Sequence, residues 1–234
     1  MNIDIQWLYT ATTWVIPALL AITLHEAGHG WAAWKLGDDT AWRLGRVSIN
    51  PLRHIDIFGT ILLPLMLKLS GAPFLFGYAK PVPVQIGRLN HPRRDMVWVA
   101  LAGPASNLLQ AFFAALSVRL ILISNSEAAL GFGLNWIGDN LLNAIQINLV
   151  LAVFNMLPLP PLDGGRVAVG LLPNRLAIPL AKMERTGILV LLGLMILVPM
   201  VSRKLGFGIE PFDWLVGWPV HWLMRFFFAL AGLT

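Results

Sequence analysis

Charge is nearly absent from long stretches of this chain, and that limits the folds open to it more than any other feature. Between Met96 and Ser124 the one charged residue is Arg119, and between Leu141 and Leu157 there is none. A helix of about 20 apolar residues crosses the ~30 Å hydrocarbon core of a bilayer. Of the 234 residues, 57% are hydrophobic and 12% charged, where a soluble domain carries about 25% charged residues. The sequence therefore reads as an all-α polytopic membrane protein. Spans are predicted at Ile5–Leu36, Met96–Ser124, Leu141–Leu157, Gly187–Val201 and Phe212–Leu233. Ile55–Leu69 is apolar but short for a span, so residues 55–78 read as a re-entrant or shallow hairpin, and Phe74–Ile86, with Pro81 and Pro83, reads as extended. The total is about five to six transmembrane or re-entrant helices. The whole of 1–234 is expected to be one integral-membrane domain, with a core over about 5–170 and additional helices over 186–233.

The positive charges set an orientation. The net charge of +5 comes from Lys and Arg in short loops between apolar runs, not from a basic tract, so nucleic acid is not an expected partner. Arg43, Arg46 and Arg53 follow the first span, Arg88, Arg93 and Arg94 precede the Met96 span, and Arg166 to Arg185 is rich in Lys and Arg. Such loops face the cytoplasm. The loop from Asn125 to Asp139, with Glu127 and neither Lys nor Arg, is expected outside. Arg203 and Lys204 fall on the outer side, against the rule. Residues 2–4 lack the positive flank of a cleaved signal, so none is expected. The ten Trp, several near segment ends, suit the lipid–water boundary. The expected location is the cell (inner) membrane, multi-pass, with the lipid bilayer as surroundings.

His25-Glu26-Ala27-Gly28-His29 lies inside the first apolar segment. Two His four residues apart on a helix share a face and can grip one metal ion, and the Glu between them can act on water. Ionisable groups are costly in hydrocarbon, so their default reading there is functional. Counting back from Lys35 at the inner boundary, His29 and His25 lie about 9 and 15 Å deeper at a rise of about 1.5 Å per residue. The chain has no Cys, so any metal must take His and carboxylate ligands. A catalytic zinc usually takes three protein ligands and keeps one position open. Asp163 is the best candidate for the third. It follows a span running in the same direction as the first, beyond a helix stopped by Pro158, Pro160 and Pro161. Asp163 pairing with Arg166 is the plainer alternative.

Other polar groups have both functional and structural readings. Ala100, Gly103 and Ser106 form a small face for close helix packing, Pro104 kinks the span, and Asn107 can satisfy a freed carbonyl. Asn148 and Asn155 share a helical face; Asn155 could donate to an oxyanion, and an interhelical hydrogen bond is the bland alternative. His54 and His91 read as solvated, and His221, among Trp214, Trp218 and Trp222, as part of a lipid-facing or packing seam. Trp42–Asn50 and Val82–Ile86 read as short extended pieces, either edge β-strands that could accept a substrate segment or plain loops.

At these residues the chain resembles the site-2 protease family of intramembrane zinc metalloproteases. The resemblance rests on an ordered set: His25-Glu26-Ala27-Gly28-His29; Asn50-Pro51 with His54-Ile55-Asp56; Ala79-Lys80-Pro81-Val82-Pro83-Val84; Gly103-Pro104-Ala105-Ser106-Asn107; and Asn155 through Gly164. It covers roughly residues 15 to 170, without the PDZ or CBS module some members carry. The resemblance implies one zinc per chain on His25, His29 and Asp163, Glu26 as general base and acid, and Asn155 assisting at the oxyanion. It implies a membrane-anchored protein substrate, cleaved within its transmembrane segment toward the cytoplasmic side; no regulatory partner is identified. The alternative is a non-proteolytic membrane protein that binds divalent metal or membrane helices.

Overall fold

The computed structural model describes residues 5–69, 77, 79–124 and 131–233. The elements are α1 (Ile5–Lys35), α2 (Thr40–Arg43), α3 (Leu63–Leu69, entered through a π-helical turn at Ile57–Leu62), α4 (Pro92–Ser124), α5 (Phe132–Asn155), α6 (Asp163–Leu171), α7 (Asn174–Lys182), α8 (Gly187–Leu192), α9 (Val198–Lys204) and α10 (Trp218–Leu230). A π-helical turn, Gly193–Leu197, joins α8 to α9, and another, Asp213–Gly217, leads into α10. Among the described residues, four helical stretches are long and apolar enough to cross a membrane: α1, α4, α5 and Gly187–Lys204. The span expected at Phe212–Leu233 is helical there but not among the four, since Asp213, His221 and Arg225 interrupt its apolar character. Residues 57–69 form one short helical stretch. At about 1.5 Å per residue it reaches roughly 20 Å, too little for a full crossing. Residues 70–76 and 78, part of the proposed hairpin and of the Phe74–Ile86 stretch, lie outside the described residues, as do 125–130 in the loop around Glu127.

The described residues contain no β-strand, which corrects the expected edge strands. Trp42 lies in α2, where it stacks on Trp34 with ring centroids 4.2 Å apart. Gln85 has extended dihedrals, but no ladder forms along Val82–Gln85. A second correction concerns the start of α5. The polar stretch before Leu141 is already helical from Phe132, and Asp139 lies inside that helix, accepting from Tyr9 Oη at 2.6 Å.

α1, α4 and α5 pack against one another, α6 packs on α4, and α10 rests on α5 and α4. One core cluster, with Ala111, Ala115, Ile145, Leu149, Val216 and Phe227, joins α4, α5 and the last helix. The outward faces are apolar: Trp14, Leu20, Phe113, Leu120, Trp214, Trp218 and Trp222 are all exposed. Lipid is the solvent that such a surface requires. The tryptophan stripe of α10 is thus outward-facing, with His221 exposed beside it.

Small residues let α1 and α4 approach. A Cβ on Gly28 would sit 3.0 Å from Ala102 O, and a Cβ on Gly103 would fall on the His29 imidazole and within 2.7 Å of His25 Cε1. Gly103→Ala should therefore displace the imidazoles or part the helices. That overpacking costs about 1–3 kcal/mol. Gly138, on α5, has open space around its Cα, and Gly138→Ala should be neutral or stabilising by up to about 1 kcal/mol. Thermal unfolding of both variants in detergent measures the contrast.

Candidate metal centre and active site

His25 and His29 sit one turn apart on the buried face of α1, where α1 meets α4. Asp163 is the first residue of α6. Backbone turns at 156–162 reverse the chain after α5 and bring α6 back toward α1. Three side-chain atoms converge there. His25 Nε2 lies 3.0 Å from His29 Nε2, and Asp163 Oδ2 lies 3.2 Å and 3.3 Å from the two nitrogens. All three residues are buried, each no more than 7% exposed.

The hydrogen bonds behind the rings define their protonation. His29 Nδ1 lies 2.7 Å from Val99 O. A backbone carbonyl only accepts, so Nδ1 carries the proton and Nε2 presents a lone pair. His25 Nδ1 lies 2.6 Å from Asn107 Oδ1, and the Asn107 amide nitrogen donates to Ala21 O and to Asn148 Oδ1. His25 Nε2 therefore also presents a lone pair. Asp163 Oδ2 is buried without a hydrogen-bond donor among the described residues. Three electron-rich atoms thus face one another in a buried site, and a cation between them makes that arrangement favourable.

The spacing fits a metal ion. A tetrahedral site with bonds of about 2.0–2.1 Å has ligand–ligand edges of roughly 3.3 Å. The observed edges of 3.0, 3.2 and 3.3 Å approach one face of that tetrahedron. Two imidazoles and a carboxylate suit zinc. Asp163 is not engaged with Arg166, which pairs instead with Glu184, Nη2 to Oε1 3.8 Å.

Glu26, beside His25, accepts a hydrogen bond from Val82 N–H on Oε2 at 2.7 Å. The segment around Val82 is tied on both sides. Lys80 N–H donates to His54 O at 2.9 Å, and Gln85 N–H to Asp38 Oδ2 at 2.6 Å. Arg46, 9% exposed, donates Nη2 to Lys80 O at 2.5 Å and Nη1 to Arg53 O. Burial pushes the Asp38 carboxyl pKa up, but its bonds from Thr40 Oγ1 and the Gln85 and Thr40 amides outweigh this and hold it below the ordinary value. The Asp38 link to Gln85 is therefore made by a carboxylate at neutral pH.

The Asn50-Pro51 and His54-Ile55-Asp56 motif forms the turn to which Lys80 is tied. Asn50 Oδ1 caps the 3₁₀ turn at Leu52 N–H, and Asp56 Oδ1 caps the next helix at Gly59 N–H. His54, expected to be solvated, is 2% exposed. Its Nε2 lies 2.9 Å from Ser48 O, and burial keeps its pKa below the ordinary imidazole value, so it is neutral and donates from Nε2. His91 is exposed as expected. Asn155 closes α5, where its amide nitrogen donates to Leu151 O at 3.0 Å. Sequence reasoning did not single out Asp38, Arg46 or Val99. Val99 contributes only a carbonyl, which no side-chain pattern signals. Asp38 and Arg46 sit in a polar loop that carries several equivalent charges.

The chain is 40% identical to YwhC of Bacillus subtilis over 185 residues, 78% of this chain and 79% of that protein. The chain belongs to peptidase family M50. It is therefore a metalloprotease. The family model itself matches residues 135–199, which hold Asn148, Asn155 and Asp163. Rip2 of Mycolicibacterium smegmatis is 30% identical over 187 residues, 79% of this chain and 66% of that protein. Both relatives are described by name as candidate zinc metalloproteases. No solved structure matches the chain.

For an M50 member the convergence of His25, His29 and Asp163 has a direct consequence. Asp163→Asn should lower zinc affinity by at least about 100-fold, because it removes the anionic ligand and leaves the two lone pairs opposed. Competition with a chromophoric chelator in detergent measures the loss.

Proposed function

We propose that this protein is an intramembrane zinc metalloprotease that cleaves transmembrane segments of membrane-anchored proteins near the cytoplasmic face. One observation carries the reading: three ligand atoms meet inside an apolar helix bundle with a glutamate next to one of them. His25, His29 and Asp163 would hold the ion. Zinc in that position supplies a Lewis acid that acidifies water and polarises a peptide carbonyl. Glu26 takes the proton from the attacking water and returns it to the leaving amine. The Val82 N–H bond orients the carboxylate while leaving it lone pairs for that proton. Asn155 is placed at the end of α5, ahead of the bend that carries Asp163, and is assigned to the oxyanion by family resemblance.

The substrate must be unwound before its carbonyls can react, since a helix keeps them in its own hydrogen bonds. A cleft of about 270 Å³, lined by Val82, Val84, Ile86, Met96, Pro160 and Arg166, adjoins the Glu26 partner and the bend before Asp163. It suits an extended, mostly apolar segment. The cytoplasmic assignment rests on the loops rich in Arg at the Lys35 end of α1 and the Pro92 end of α4.

Cleavage of single-span membrane proteins by purified protein in detergent or liposomes tests the proposal. Glu26→Gln should bind zinc normally and lose at least about 10³-fold in kcat, as expected when a general base is removed from such a site. Cleavage at the unsubstituted rate would end the assignment. Asn155→Leu should retain zinc and lose about 10²–10³-fold in kcat, the loss typical of an oxyanion donor; an unchanged kcat assigns Asn155 to the helix end alone.

A further inference from the structure

The geometry points to Asn148 as a positioning residue that sets the tautomer of His25 from two shells away. The inference rests on zinc binding at His25, His29 and Asp163, which the zinc content of the unsubstituted protein tests separately. Asn148 and Asn107 are both buried, 2% and 0% exposed, between α5 and α4. Amide orientation is ambiguous for an isolated Asn, but each amide here faces a group with only one possible role. Asn148 Nδ2 lies 2.9 Å from Ala144 O, a carbonyl that can only accept. Its Oδ1 is thereby turned toward Asn107 Nδ2, 2.7 Å away. Asn107 Nδ2 spends its second proton on Ala21 O at 3.2 Å. That commits Asn107 Oδ1 to accept, and the atom facing it at 2.6 Å is His25 Nδ1. The proton on His25 is held at Nδ1, and the Nε2 lone pair is left for the ion.

The direction of the relay originates in two backbone carbonyls, one on α1 and one on α5, and reaches the metal site through side chains alone. His29 needs no such relay, because Val99 O faces its Nδ1 directly. With no acceptor at position 148, one Asn107 N–H would be buried without a partner. A flipped Asn107 amide would then compete, presenting a donor to His25 and moving the imidazole proton to Nε2, where it blocks the ion.

Asn148→Leu keeps the volume and removes the acceptor. Outer partners of metal-bound His are worth about 10–100-fold in affinity, and a residue one step further out is expected at the lower end. Zinc affinity of the variant should fall about tenfold. The ¹⁵N spectrum of metal-free, histidine-labelled protein should show His25 losing its pure Nδ1–H form. Asn148→Asp should restore both. In an apolar bundle that carboxyl is protonated, so its hydroxyl can donate to Ala144 O while its carbonyl accepts from Asn107. In an Asn107→Leu background, Asn148→Leu should change zinc affinity less than about twofold, since the relay is already broken. If Asn148→Leu does not fold, Asn148→Thr serves: its hydroxyl bonds back to Ala144 O, stops short of Asn107, and should give the same loss. Three results would each overturn the inference: unchanged zinc affinity in the folded single variant, equal loss in the Asp and Leu variants, or a full further loss in the Asn107→Leu background. A purely structural role in holding α5 to α4 through the Asn107 bond would lower zinc affinity in Asn148→Leu while leaving the His25 ¹⁵N spectrum unchanged, and that result also overturns the inference. Failure of the unsubstituted protein to bind zinc would instead overturn the metal site itself.

Discussion

Three lone pairs pointed at one another inside a lipid-embedded bundle are unstable unless a cation lies among them, and the rest of this structure is arranged around that condition. His25 Nε2, His29 Nε2 and Asp163 Oδ2 lie within 3.3 Å of one another. The three residues are buried, so Coulomb forces act with little screening. The ring protons are held on the far sides by Val99 O and Asn107 Oδ1. The close approach that makes this possible depends on Gly103, whose missing side chain leaves the space the imidazoles occupy. Small residues on α4, polar partners on α5 and the bend before α6 all serve one geometry.

A second layer holds Glu26. Extended backbone at membrane depth survives where protein covers it. Here residues 80–85 are fixed by Arg46 at Lys80 O, by Glu26 at Val82 N–H and by Asp38 at Gln85 N–H. The tethers are charged groups meeting backbone amides and carbonyls, the stronger class of hydrogen bond. The segment is thus fixed beside both Glu26 and the cleft lined by Val82 and Val84.

The grouping of His25, His29 and Asp163 was legible from type and spacing. His25 and His29 share a face because four residues make about one helical turn, and Asp163 was the acidic residue that a second parallel span delivers to the same depth. The spans were legible for the same reason: apolar length is a local property. Of the two readings of Trp42–Asn50, the plain loop holds over 44–50 and the edge strand does not, while stacking of Trp42 on Trp34 favours α2 at its start. His54 looked like a solvated loop residue because its neighbours Arg46 and Arg53 are charged. Their guanidinium groups turn instead to backbone carbonyls, at Lys80, Arg53 and Gly45, and close the loop over the ring. Such long-range capping has no local signature.

The chemistry available to this chain was therefore decided by its sequence: which residues can bind a metal, that they sit in hydrocarbon, and that no thiolate competes. Residue type, spacing and hydropathy are enough for that, because each acts within one helical segment. Direction was decided by the tertiary structure alone. Which imidazole nitrogen keeps its proton, which oxygen of Glu26 is occupied and which carbonyls orient Asn107 and Asn148 depend on groups from different helices meeting at hydrogen-bond distance. A hydrogen bond has a donor and an acceptor only when both partners are in place, and packing is what puts them there.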